Sequence, residues 1–404
     1  MRTRTALLAA MLICAVPASA QLGSPVLDGT MSHVLGTVNG VTGPLTRTAE
    51  ALLEDAGSRA QARLDRLAEL VRRNRSAIER DAHGSPARKG ELLLIEPVDA
   101  DVATARNAGF TPLGRETMAA LDLRVERLAV PAGVSLSRAE TLLRARLPQA
   151  TITGDTLHEP AGGQWGLTAA GSGVPALPIG TPVGLIDSGA ATGLGAITRG
   201  FATGAPRPAD HGSATASLLA GTGVRQIYVA DVYGADPAGG NALAIARALD
   251  WLVGAGVRVM SISLVGPDNP LVGRAVAAAR QRGAVIVAAV GNDGPGAPPA
   301  YPASYPGVLA VTGVDGRDRA LIEAGRALHL DYSAPGADMA AMDARGRWRR
   351  VRGTSFAAPL VAARAAAALP GGNVIATLDH EAQRLGNPAL YGRGLLCGAC
   401  RKPR

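Results

Sequence analysis

Aromatic side chains are scarce in this 404-residue chain: Phe, Trp and Tyr together make up 3% of it. Its core must therefore be assembled from Ala, Val, Leu and Gly, which suit closely packed helices and sheets. Cysteine is also rare, with three in all, so disulfides cannot carry the fold. Lysine occurs only at Lys89 and Lys402, and arginine supplies nearly all of a basic balance of 41 against 33. The arginines are scattered, without aromatic interleaving or a dense cluster. A solvated surface is the expected role, and no nucleic-acid partner is expected. No apolar run spans a bilayer, because 271–290 and 356–369 are interrupted by Arg274, Arg280, Arg282 and Arg364. At 47% hydrophobic and 18% charged residues the chain is globular, and its length calls for two or three domains.

Arg2 and Arg4 precede an apolar run from Ala6 to Val16 that ends at Ala18-Ser19-Ala20. That pattern predicts a secretory signal at 1–20 and a secreted or periplasmic protein. In an oxidising compartment Cys397 and Cys400, in a basic tail at 397–404, can close a small loop. Within 21–88, Leu53, Ala56, Ala60, Leu64, Leu67 and Val71 recur every three or four residues. They predict a long amphipathic helix, or a helical pair, over about 45–80. The polar stretch His83–Lys89 reads as a linker.

Residues 89–160 read as strand Glu91–Ile95, a helix at 99–108 and strand Leu123–Val130. A helix opened by the capping-box pattern Ser137-Arg138-Ala139-Glu140 and strand Ala150–Thr153 complete the segment. This order fits a small α+β sandwich of the split βαβ kind, with one strand unaccounted for. Ala161–Gly180, rich in Gly, Ala and Pro, reads as an exposed linker. Beyond it, strands at Val183–Ile186, Ile227–Val232, Val257–Leu264, Val285–Val290 and Leu309–Val314 alternate with helices at 212–220, 240–253, 270–282 and 355–369. The strands are continuously apolar, as in a parallel sheet covered on both faces. An α/β, doubly wound, mostly parallel sheet is therefore expected.

Three motifs fall where such a sheet presents reactive groups, near the carboxyl ends of its strands. Val183-Gly184-Leu185-Ile186-Asp187-Ser188-Gly189 ends a strand with a carboxylate. Asp210-His211-Gly212-Ser213 opens a helix of small residues, and Gly353-Thr354-Ser355-Phe356-Ala357-Ala358-Pro359 opens another. Asp187, His211 and Ser355 supply an orienting carboxylate, a base and a nucleophile, the set acyl transfer requires. Their order along the chain is one of the known convergent ones.

With Ala288-Ala289-Val290-Gly291-Asn292-Asp293-Gly294 as a fourth match, residues 161–396 resemble the subtilisin family of serine peptidases. The resemblance implies a catalytic triad of Asp187, His211 and Ser355, with Asn292 supplying the side-chain donor of the oxyanion hole. It implies substrate contacts along Ser263, Leu264 and Gly266, with Gly266 at the floor of the primary pocket. Ala289 and Gly291 would form the other wall, and Val232 and Tyr233 a second clamping strand. Val265 departs from the family, which usually has Gly soon after this Leu.

By the same resemblance, 89–160 is a propeptide that acts as an intramolecular inhibitor. Gln164-Trp165-Gly166-Leu167 is similar to a mature amino terminus, with self-cleavage expected between Thr156 and Gln164. The stretch Ala220–Tyr228 is too short for the family's principal calcium loop, so neither a metal nor a cofactor is expected. The implied activity is a self-processed serine endopeptidase acting on polypeptides. The alternatives are a catalytically silent subtilase fold that binds peptides or partners, and an arginine-rich nucleic-acid or envelope-surface protein.

Overall fold

The computed structural model describes residues 45–161, 164–168 and 178–401, so the signal-like segment 1–20 lies outside the described residues. The expected long helix is a single one, α1 (Leu45–Arg73), but it stops short of about 80, where Ile78–Arg80 forms a strand instead. It leads into an antiparallel module of β1 (Ile78–Arg80), β2 (Pro86–Ile95), α2 (Asp99–Asn107), β3 (Thr111–Met118), β4 (Leu123–Ala129), α3 (Leu136–Arg146) and β5 (Thr151–Thr156). β4 pairs β2 and β3, and β5 and β1 both pair β2. β3 is the strand missing from the sequence pattern. It carries Pro112 and Gly114, and its register shifts between them, so no apolar alternation marks it.

His83–Lys89 is a hairpin turn followed by the start of β2, not a linker. The Asp81 carboxylate accepts the His83 and Ser85 N–H groups and shapes the turn. The cap of α3 is Ser135, whose hydroxyl accepts the Arg138 N–H. Glu140, expected in a capping box, instead accepts the Ala82 N–H and pairs with Arg144.

After β6 (Glu159–Pro160) and β7 (Gln164–Thr168), the chain forms β8 (Val183–Asp187), β9 (Ile197–Gly200), α4 (Asp210–Gly221), β10 (Ile227–Asp231), α5 (Ala242–Gly254), β11 (Val259–Ile262) and β12 (Leu264–Val265). α6 (Pro270–Gln281), β13 (Val285–Ala289), β14 (Leu309–Val314), β15 (Tyr332–Pro335), β16 (Met339–Met342), β17 (Trp348–Arg352), α7 (Thr354–Ala368), α8 (Val374–Glu381) and α9 (Pro388–Tyr391) follow. Seven strands form one sheet in the order β15-β14-β13-β11-β8-β10-β9, every pairing parallel. The edge strands β9 and β15 are short and half-polar, so periodicity does not mark them. Most of Ala161–Gly180 lies outside the described residues, but Gln164–Thr168 forms a strand with β17 rather than linker. Cys397 and Cys400 are joined by a disulfide.

Alternate residues of the central strands feed two cores. Leu185, Val229, Val259 and Val287 pack with α4 and α7, whereas Ile186, Ala230, Met260 and Ile286 pack with α5 and α6. Leu93, Ile95, Met118 and Val125 of the module enter the second core, so its sheet rides on α5 and α6. β5 also reaches both helix starts. Asp155 Oδ1 accepts the Leu243 N–H at 2.9 Å, and the Asn269 amide, which caps α6, donates to Gly154 and Thr156. Among the described residues no helix is long and apolar enough to cross a membrane.

Leu252 is fully buried in the shared core. In a Ser355→Ala background, Leu252→Ala is expected to lower the unfolding free energy by about 2–5 kcal/mol, measured by urea denaturation. A loss below about 1 kcal/mol would show that this core can collapse around the gap.

Candidate active site

Asp187 ends β8 with its carboxylate fully buried, where an unsatisfied anion would be costly. Its donors are close at hand. Ser188 N–H lies 2.7 Å from Oδ1, and the Thr215 hydroxyl lies 3.2 Å from Oδ2. His211, in the first turn of α4, places Nδ1 2.8 Å from Oδ1 and 2.9 Å from Oδ2. This contact fixes the ring plane and leaves Nε2 facing away from the carboxylate. Nε2 is buried and has no hydrogen-bond partner among the described residues. The Ser188 hydroxyl accepts the Gly212 N–H at 2.9 Å and so ties the helix start to the strand end. A Cβ at Gly212 would stand 1.9 Å from the Ser188 carbonyl, so only glycine allows this approach.

Ser355 is the second residue of α7 and is fully buried. Its neighbour Phe356 holds its ring centroid 5.7 Å from that of His211, which brings the helix start to the imidazole. Asn292 follows β13, and its Oδ1 accepts the Thr354 N–H at 2.9 Å. Its amide therefore turns its NH₂ the other way, and that group donates to the carbonyl of Ala161.

Ala161 belongs to the tail of the module, which lies across this site as an added strand. Glu159 and Pro160 pair antiparallel with Val265 and Leu264, and Ala161 N–H donates to the Ser263 carbonyl at 2.8 Å. On the other side, His158 N–H donates to Gly240 at 2.8 Å, and Leu157 bridges Asn241. Backbone pairing on both sides is how an extended peptide is gripped.

Ser263 and Leu264 thus touch the tail directly, and Ser263 Oγ also donates to the Ser355 carbonyl at 2.9 Å. Ala289 shares an apolar cluster with Ala161, and Gly291 abuts Val265. Two placements differ from expectation. Gly266 makes room for the His158 ring, three residues before Ala161, because a Cβ there would lie 2.5 Å from that ring. On the second side of the tail the backbone partners are Gly240 and Asn241, while Val232 and Tyr233, expected there, make no backbone pair with it. Val232 spends its N–H on the Asp187 carbonyl and Tyr233 its N–H on Asp231 Oδ1, while the Tyr233 hydroxyl reaches the tail, 2.8 Å from the His158 carbonyl. The signal for this clamp was the Gly239-Gly240 pair before the Asn241 cap, hidden by reading the helix from 240. Ser188, Thr215 and Thr354 are further polar supports that motif reading did not single out.

Among the described residues no group of three or more His, Cys, Asp or Glu side chains could hold a metal ion.

A family model described as the subtilase family matches residues 202–382. The chain is 32% identical to Subtilisin Savinase of Lederbergia lenta over 263 residues, 59% of this chain and 94% of that protein. It is 33% identical to Subtilisin E of Bacillus subtilis (strain 168) over 123 residues, spanning only 32% of that relative's length. Fervidolysin from Fervidobacterium pennivorans shares the fold with a TM-score of 0.63 at 17% identity, covering 78% of this chain and 61% of that one. The epidermin leader peptide processing protease of Staphylococcus aureus does so with a TM-score of 0.59 at 14% identity, covering 77% of this chain and 97% of that one.

Two buried groups make the seating of the module pH-dependent in opposite senses. Burial lifts the Asp155 carboxyl from 3.8 to about 7; the Leu243 N–H, Arg88 and Arg247 pull it down, and Glu91 pushes it up. Seating therefore favours the protonated acid and weakens as pH rises from about 3.8 to about 7. Burial lowers the His158 imidazole from 6.5 to about 4, so seating weakens as pH falls through that interval. The two slopes oppose each other where they overlap. In a Ser355→Ala background, Asp155→Asn is expected to leave a melting temperature that climbs from pH 4 to 6.5, and His158→Phe one that falls from pH 4 to 7, relative to the parent. Slopes of the same sign in both variants would contradict the assignment.

Proposed function

Because this chain belongs to the subtilase family of serine peptidases, we propose that it is an exported serine endopeptidase that cuts itself from a precursor. Residues 1–20 direct export, and 89–160 form the inhibitory propeptide. Ser355 Oγ attacks the peptide carbonyl and passes its proton to His211 Nε2. Asp187 holds the imidazole in the tautomer that can accept it. The carbonyl oxygen, now negative, meets the Asn292 amide and the Ser355 backbone N–H at the positive end of α7. His211 then gives the proton to the departing amine, and water repeats the sequence on the acyl-enzyme.

The observation that carries this reading is the Asn292 amide donating to the Ala161 carbonyl while the tail is gripped on both edges. The carbonyl group of one particular bond, the one after Ala161, is thereby presented to the oxyanion donor. That bond lies inside the interval expected from the sequence. Polypeptides held in the same extended form are the expected substrates.

Expression of the full chain is expected to yield a fragment ending at Ala161 and a partner beginning at Gly162, identified by intact mass. Ser355→Ala should remain uncut, and a fluorophosphonate should label Ser355 alone. An unlabelled protein, or Ser355→Ala that is still processed, would refute the reading. Asn292→Ala is expected to lower kcat by about 10²–10³, a range established for such a donor in a subtilisin.

A further inference from the structure

Helix α1 precedes the module and is not needed to build either sheet, yet three of its arginines face the site. Arg59, Arg63 and Arg66 fall at i, i+4 and i+7, on one face of the helix. Arg63 Nε lies 3.2 Å from Asp293 Oδ2, and Arg66 Nη2 lies 2.7 Å from Asp293 Oδ1. Asp293 is the residue after Asn292. Arg66 also reaches the tail, with Nε 3.5 Å from Glu159 Oε2. The stem of Arg59 packs so closely on Gly294 that a Cβ there would lie 2.9 Å from Arg59 Cδ. At the other end of the helix, Leu70 and Val71 pack with Ile78, Leu157 and Ala238. A cavity of about 320 Å³ beside Ala161 has Arg59 and Arg66 among its walls, opposite Val265 and Asn292.

The helix thus touches the tail at Leu157 and Glu159, the loop behind the oxyanion donor at Asp293 and Gly294, and the peptidase body at Ala238. We propose that α1 is a second inhibitory element, an arginine clamp that holds the tail in the cleft after the bond following Ala161 has been cut. This rests on the peptidase reading above. The clamp lengthens the interval between two events: bond cleavage, and the appearance of activity toward other proteins. Its release requires the ion pairs to be screened or the helix itself to be cut away.

The test uses the full-length chain and follows two rates in the same sample. One is the rate at which the bond after Ala161 is cut, read on denaturing gels. The other is the rate at which the amino-terminal fragment separates from the peptidase, read by native mass spectrometry. Arg63→Glu/Arg66→Glu is expected to be cut at the parental rate and to separate roughly two- to thirtyfold faster, as loss of two partly exposed ion pairs would give. Adding Asp293→Arg to that variant should restore slow separation. In the unaltered protein, raising salt from about 0.05 to 0.5 M should speed separation without changing the cut. If the double variant misfolds, Arg63→Gln/Arg66→Gln decides the question by the same two rates, because salt also screens Arg88–Asp236 and Arg247–Glu116. Separation at the parental rate in the double variant, or indifference to salt in the parent, would overturn the clamp while leaving the peptidase reading intact. A chain that is neither cut nor labelled at Ser355 would sink that reading, and the clamp with it.

Discussion

The side-chain amide of Asn292 must satisfy a donor on one side and an acceptor on the other, and this sets the geometry of the whole site. Oδ1 takes the Thr354 N–H, and the NH₂ group gives to the Ala161 carbonyl. A flipped amide would set NH₂ against N–H and carbonyl against carbonyl, so only one orientation is tolerable. Fixing the amide to Thr354 also fixes the β13 loop to the start of α7, which carries Ser355. In the proposed mechanism this donor is in place before any charge develops on a bound carbonyl, and preorganisation of this kind avoids reorientation during reaction.

The sheet makes this meeting unavoidable. β13, β11 and β8 are adjacent and parallel, so the segments leaving their carboxyl ends, at Asn292, Ser263 and Asp187, emerge side by side. α4 and α7 pack on the same face of the sheet, and their first turns bring His211 and Ser355 to that edge. Close approach needs small residues. α7 is largely alanine and buried on nearly all sides, and Gly212 tolerates no Cβ against Ser188. The scarcity of aromatic residues therefore suits the site as well as the core. A chain built on larger side chains could not bring these helix starts so near the strand ends.

Much of this was legible in the sequence, for an identifiable reason. The central strands of a doubly covered sheet are apolar without interruption, and the helices between them repeat at 3.6 residues, so β8, β10, β11, β13 and β14 stand out. The edge strands β9 and β15 do not, because one side of each faces loops or solvent and tolerates residues such as Arg199 and Ser333. β3 was hidden by the glycine and proline of its bulge. Asp187, His211, Ser355 and Asn292 were visible because each lies at a strand end or helix start with little freedom in its neighbours. The contacts of Gly266 and Gly240 were not, because a glycine records only that something approaches closely. It does not record what approaches. Identifying the His158 ring as the neighbour of Gly266 requires the tail to be in place, and no local pattern specifies where the tail lies.

The tail itself is held by little. Two residue pairs of β6 with β12 and a few flanking backbone bonds make a short ladder, and the Ala161 carbonyl adds one contact. While the chain is continuous past Ala161, the covalent link to the rest of the chain keeps the effective concentration of module and tail high. Under the proposed cleavage after Ala161, retention would depend on everything else that binds the fragment. That is where the charged and capped contacts matter. β5 reaches the starts of α5 and α6, Arg88 pairs with Asp236 at 2.6 Å, and Arg63 and Arg66 meet Asp293. Apolar burial of the module on α5 and α6 supplies most of the grip, and it is not weakened by the screening that salt brings. The polar contacts supply the part that conditions can change. On the proposed reading, a precursor arranged in this way completes its own cleavage early and still withholds activity, because the step that chemistry controls differs from the step that electrostatics controls.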